Sequence, residues 1–439
     1  MDFSAFGKKT PSSQRARTDR FVAPRAAFDE LRRRHRAPAP RPCSEVIWYS
    51  KYMNQKKYAN HIDKAWGLEG PSKSSTEQGW PCVPRRRPHL CSADNVLDLP
   101  TYSSAPFPEL LDWSNDNILV AALGTKYYKW SWRSQSPISK GFTLFNTACC
   151  RFDPTGEKLA LGTDMQRVEI HNSWSKRVAG SWCRCSGLSR QYCHVTALDW
   201  SPTGNSFVIG CSRGTVTSFD RDAELISSCP ATVNAIFLIR VSPDARYVAV
   251  AAVNSSQVLV MLWPELYDSR SIGSDWIVKT IAWHPWRSAL LGIGGMADLK
   301  SWVALWDAPR AALRMTSRVS NSDFTLDTML FSHRTGELVM SLWNTENQPY
   351  PKGSSQLVVM SGPQTVVDQW GEGRQRMDRV RTMVFSPDGT KLATATADED
   401  LVIWNFLPQD NGPSDKTKRR RFSAIPSFID QSIHGFSVR

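Results

Sequence analysis

Cys183 and Cys185, separated by one residue, are followed by Cys193 and His194, and these side chains have the types that could hold a metal ion. Zinc takes thiolate sulfur and imidazole nitrogen in closed tetrahedral sets, and the usual fingers bring their ligands in two closely spaced pairs. The spacing here matches no common finger, and the segment reads as a connection between repeats. Free thiols in a loop are therefore expected, and neither a metal nor a cofactor is assigned. The sequence carries no Gly-rich phosphate loop, nucleophile elbow or Ser/His/Asp arrangement. Its eight His are scattered, and His284, in a turn before Pro285, reads as structural. The chain is expected to have no catalysis of its own.

Three basic runs could meet phosphate: 32–36, 85–87 and 416–421. They lack the interleaved aromatics that stack on bases, so they read as linkers or import signals, with nucleic-acid binding as the rival. The net charge of +13 is unevenly placed. Residues 1–95 hold 19 Lys/Arg against 9 Asp/Glu, and residues 407–439 hold 6 against 3, whereas 96–406 balance at 29 against 29. The basic character belongs to two arms, and the middle of the chain is neutral.

That middle is repetitive. Residues 380–406, VRTMVFSPDGTKLATATADEDLVIWNF, read as four short strands with a tight turn at Ser386-Pro387-Asp388-Gly389 and Trp404-Asn405 where a WD dipeptide closes a blade. Earlier copies align on Trp113, Phe152, Trp200, Val241, Trp283 and Phe331, ahead of Phe385 in the last, with gaps of 39, 48, 41, 42, 48 and 54 residues. Their mean of about 45 fits the WD-type period. The expected fold is all-β: a seven-bladed WD-repeat β-propeller over 96–406, which leaves few sheet edges exposed, with flexible basic arms at 1–95 and 407–439. No apolar run is long enough to cross a bilayer, and MDFSAFGKKTPSS has no signal-peptide core. A soluble protein of cytoplasm and nucleus is expected, and the ten Cys do not form a compact disulfide framework.

In the first arm, residues 1–18 are polar and turn-prone and are expected to be disordered. A short amphipathic helix is expected from about 26 to 36, with Phe28 and Leu31 on one face, and a second from 45 to 66. Residues 37–42 read as an extended spacer, and 67–90 and 408–416 as linkers.

Three features together resemble the Fizzy family, the substrate-recruiting activators of the anaphase-promoting complex ubiquitin ligase. They are the blade order with its approach Val96-Leu97-Asp98-Leu99-Pro100 and Leu110-Leu111-Asp112-Trp113, the arm motif at 19–25, and the last two residues. The family's arm motif is Asp-Arg-Phe/Tyr-Ile-Pro-x-Arg. Asp19, Arg20, Phe21 and Arg25 match in register, Val22 replaces Ile, and the proline has moved to Pro24. Such a stiff peptide with one apolar anchor and two guanidinium groups suits a groove on a helical-repeat subunit of the ligase. The family ends in Ile-Arg, which docks on another helical-repeat subunit; this chain ends in Val438-Arg439. The departures are similar to those of a divergent branch, the Cortex branch, with roles in the meiotic cycle and wing-scale development.

The resemblance implies that Asp112 and Glu399 receive the Arg of an Arg-x-x-Leu destruction box, in a cleft between the first and last blades. A guanidinium held by two carboxylates is a strong charge-assisted arrangement. A second pocket, for Lys-Glu-Asn degrons, would use Arg379; its amide-reading positions fall on Ser256, Val258 and Met296, so a weakened pocket is expected. Implied partners are ligase subunits and degron-bearing substrates such as cyclins, with no membrane and a monomer outside the ligase. Thr10-Pro11 is a proline-directed phosphorylation candidate near the arm motif. A WD-repeat scaffold without a ubiquitin role is the remaining alternative.

Overall fold

A computed structural model of the protein describes residues 79–408, apart from 86, 92, 103–108, 186–192, 299, 320–323, 345–353 and 372–376. The chain divides into two units, 1–77 and 78–439. The first unit lies outside the described residues, as does the tail after 408. Thr10, Asp19, Arg20, Phe21, Val22, Pro24, Arg25, Val438 and Arg439, and the two helices expected in the first arm, therefore fall outside them too.

Seven four-stranded antiparallel sheets make up the fold, one per repeat. Blade one runs over 111–142, blade two over 147–182, blade three over 195–230, blade four over 236–273, blade five over 277–318 and blade six over 324–370. The inner strand of each blade carries the landmark aromatic or Val at its end, and the second strand is almost wholly buried, as in Ser206–Cys211 and Lys391–Thr396. Strands buried on both faces lose the alternating pattern and read as continuous apolar runs. The turn between first and second strands repeats its chemistry. Asp388 Oδ1 accepts from the Ser386 hydroxyl at 2.6 Å and from the Thr390 N–H at 3.1 Å, while Gly389 takes φ 67°. Gly156 and Gly204 fill the same left-handed position in blades two and three, at φ 81° and 71°, where a glycine pays no Cβ penalty.

Blade seven departs from expectation. The run 380–406 supplies three strands, Val380–Phe385, Lys391–Thr396 and Asp400–Asn405. The fourth comes from the other end of the chain: Ala93–Asp98 pairs antiparallel with Asp400–Asn405, in register Leu97 to Leu401. The ring is thus closed by strand pairing between distant parts of the chain, and Asp400–Asn405 is flanked by a strand on each side. Trp404 is fully buried there, donates its indole N–H to the Thr394 hydroxyl at 2.9 Å and meets Trp370 edge to face.

The segment leading into the seam also differs from the linker expected over 67–90. Trp80 is buried against Phe331 of blade six, and its indole N–H donates to the Gly336 carbonyl at 3.0 Å. Arg85 is enclosed: it pairs with Glu337 and Asp368, each at 2.8 Å, and stacks on the Phe406 ring at 4.0 Å. All three charged side chains are at most 1% exposed. A stretch rich in Arg and Pro reads as solvated because its partners lie more than 250 positions away. His284 does the structural work expected of it, its Nε2 meeting the Pro81 carbonyl at 2.7 Å and its Nδ1 accepting the Trp286 and Arg287 N–H groups. Burial, with Arg287 adding to it, pushes its pKa below the ordinary value against the Pro81 bond.

Candidate functional site

Successive strand residues face opposite sides of a sheet, so the residue before each landmark points to the other face of its blade. In blades one to four these residues are Asp112, Arg151, Asp199 and Arg240, an alternation of sign. Asp112 takes the Arg151 guanidinium at 3.2 Å on Oδ1, and the Phe152 N–H of the next blade at 2.7 Å on Oδ2. Asp199 repeats the second contact with the Val241 N–H at 2.8 Å. Each carboxylate is thereby a clasp from one inner strand to the next.

Glu109, a residue the sequence reading did not single out, completes the cluster. Its carbonyl accepts the Cys150 N–H at 2.9 Å, which fixes its approach to blade two. Its carboxylate takes Arg151 at 3.2 Å and is forked by Arg240. Burial would raise the Glu109 pKa, but Arg240 and Arg151 outweigh it and hold the carboxyl below its ordinary range. In Asp199 the balance reverses: burial outweighs the same two cations and raises the pKa. Around this cluster lies a cavity of about 350 Å³ whose charged lining is Glu109, Arg151, Arg240, Lys279, Asp327 and Arg381. The lining is of mixed charge, and its Arg151 and Arg240 are already paired with Glu109.

Glu399 sits elsewhere, at the seam. It occupies the turn between two strands of blade seven with φ 71°, and its carbonyl accepts the Leu99 N–H at 2.7 Å. Its Oε1 accepts the Thr101 N–H at 3.0 Å. Of the expected destruction-box pair, Glu399 is the half-exposed member. Asp112 is buried, with a guanidinium from its own chain already in place.

The second expected pocket is scattered. Arg379 makes a two-pronged bond to Asp327, with Nε 2.9 and 3.0 Å from its oxygens. Ser256 is exposed beside a turn, where its carbonyl accepts from Ser274. Val258 is fully buried in the core of blade four, so it faces no ligand. Met296 is half-buried in blade five, opposite Ile277 and Ser301.

The cysteines also differ from the loop of separate thiols that their spacing implied. Cys183, Cys185 and Cys193 meet, and the fourth member is Cys211 of blade three in place of His194. His194 is turned aside, its Nδ1 on the Asp164 carbonyl.

Residues 150–265 match the family model of the anaphase-promoting complex subunit 4 WD40 domain, and 374–405 match that of the WD domain, G-beta repeat. The chain is 57% identical over 451 residues to Protein cortex of Heliconius erato, with all of both chains covered. The chain belongs to the Cortex family. More distantly, this Cortex-family chain is 25% identical over 397 residues to Protein FIZZY-RELATED 1 of Arabidopsis thaliana, covering 85% of this chain and 76% of that one. A chain in the crystal structure of the mitotic checkpoint complex shares the fold, with a TM-score of 0.57 at 20% identity, over 76% of this chain and 97% of that one. The Fizzy resemblance in the sequence is thus a true, if distant, relationship, and the Cortex branch is the near one.

Proposed function

We propose that this protein is a non-catalytic activator of the anaphase-promoting complex, which presents degron-bearing substrates on its propeller and attaches to the ligase through both arms. The observation that carries the reading is the 57% identity to a Cortex protein along the whole chain, arms included, with a Fizzy-related protein as a further relative. Two weak peptide anchors on one rigid body raise each other's effective concentration, so neither needs high affinity alone. The substrates are proteins with Arg-x-x-Leu degrons, cyclins among them, and the setting is meiotic or developmental cell-cycle control in cytoplasm and nucleus. Outside the ligase the chain acts as a monomer. The rival reading, nucleic-acid binding by basic runs, loses Arg85, which is enclosed between Glu337 and Asp368.

Affinity capture of tagged full-length protein tests this. Ligase subunits should be recovered with the parent chain. Deletion of Val438-Arg439, or Arg20→Ala with Arg25→Ala, should each reduce recovery strongly while the propeller stays folded, and Thr10→Asp should reduce it partly, because negative charge near the motif opposes its two Arg. Undiminished recovery from both arm variants overturns the bivalent attachment, and no ligase with the parent chain overturns the activator role.

A further inference from the structure

Four sulfur atoms converge at the junction of blades two and three. Cys183 and Cys185 follow the outer strand of blade two, Arg177–Trp182, and Cys193 precedes the inner strand of blade three, Val195–Trp200. Cys211 ends the second strand of blade three, Ser206–Cys211. Their sulfurs all lie within 4.8 Å of one another. Cys183, Cys193 and Cys211 are buried and Cys185 is half-buried.

We propose that Cys183, Cys185, Cys193 and Cys211 form a tetrathiolate site for a single structural Zn²⁺ ion. With Zn–S bonds of about 2.3 Å, tetrahedral geometry separates the sulfurs by about 3.8 Å, a small contraction from the arrangement here. Four soft sulfurs in a compact tetrahedral set select zinc over the hard cations, which take oxygen. An iron–sulfur cluster spreads its ligands around several metal and sulfide atoms, and these sulfurs are too close together for that. The surroundings suit thiolates. Gln166, itself buried, reaches the Cys183 carbonyl at 2.9 Å and the Cys185 sulfur at 3.6 Å with its Nε2. Such outer donors orient ligands and spread the negative charge of the site.

Binding would exchange four thiol protons for one cation, so Zn²⁺ uptake releases protons and weakens with falling pH. The ion would tie the connection between two blades to a core strand of the second.

The test begins with full-length protein purified under reducing conditions and elemental analysis by mass spectrometry. One zinc per chain is expected, and about none overturns the proposal. Cys183→Ser and Cys211→Ser should lower the zinc content at least tenfold, whereas His194→Ala should leave it unchanged. Should the serine variants fail to fold, stepwise titration of the parent protein with a mercurial decides, since four blocked thiols should release one zinc. Replacement with Co²⁺ should give the intense sulfur-to-metal absorption of a tetrahedral tetrathiolate. Zinc retained by both serine variants, zinc release uncoupled from these thiols, or disulfides joining these cysteines in the freshly purified protein would each refute the site.

Discussion

Asp112 and Phe152 belong to neighbouring blades, and the carboxylate of the first accepts the backbone N–H of the second at 2.7 Å. The contact makes Asp112 part of the ring's construction. Removing it strands an N–H and takes one of three carboxylates from Arg151, whose pKa rises, despite burial, because Glu109, Asp112 and Asp199 surround it. Asp112→Ala should destabilise the propeller by about 1–3 kcal/mol, the usual cost of a buried group left unpaired. Asp112→Asn, which keeps an oxygen for Phe152, should cost less. Urea denaturation of the two variants provides the measurement, and equal losses would refute the clasp.

Of the two carboxylates that the Fizzy resemblance would assign to a destruction box, Glu399 is the one that can be tested without that penalty. Glu399→Gln should weaken a destruction-box peptide at least tenfold, on the order of 1.4 kcal/mol. Arg379→Ala should leave that peptide nearly unaffected, since its guanidinium is engaged by Asp327. Fluorescence titration with Arg-x-x-Leu and Lys-Glu-Asn peptides checks both, and tighter binding of the second class would reverse the assignment.

Arg85 should be among the most sensitive positions outside the blades. Arg85→Ala leaves Glu337 and Asp368 buried without their cation, a change that costs about 3–5 kcal/mol. Arg85→Lys should rescue little, because an ammonium cannot span both carboxylates and stack on Phe406 as the planar fork does. Thermal unfolding of the two variants beside the parent is the check.

Acid should act through Glu109. Its folded pKa is held below 4.5, so its contribution to stability is complete above 4.5 and is lost as pH falls through the lower folded value. Asp199 works in the opposite sense, because its raised pKa lets it protonate earlier within the same cluster at less cost. The stability gap between the parent and Glu109→Gln should therefore be widest at neutral pH and shrink below pH 4.5. Urea titrations on either side of that value measure it, and a constant gap would show that Glu109 stays neutral in the fold.

The seven repeats are legible because each is local: an apolar strand, a Ser/Asp turn and a second apolar strand lie within some twenty residues, and Trp113 through Phe385 mark them in sequence. What escapes is what joins distant positions. Ala93–Asp98 has little apolar pattern of its own, and only pairing with Asp400–Asn405 makes it a strand. Arg85 looks like linker until Glu337 and Asp368 are brought to it. Cys211 stands alone in sequence, and the blade-two connection supplies its neighbours. The sign alternation of Asp112, Arg151, Asp199 and Arg240 emerges only when the blades are set side by side, and Val258, aligned with a ligand-reading position, proves to be core.

The seam has a mechanical consequence. Ala93 lies opposite Trp404, so the chain enters and leaves the ring at the same end of one antiparallel strand pair. Tension between the two arms would load that pair in the unzipping direction, in which hydrogen bonds fail one after another. Arg85 stands ahead of the first of them, bonded to Glu337, Asp368 and the Phe406 carbonyl at 3.1 Å. Under such a pull it would pass load into blade six ahead of the closing strand, as a strain relief does.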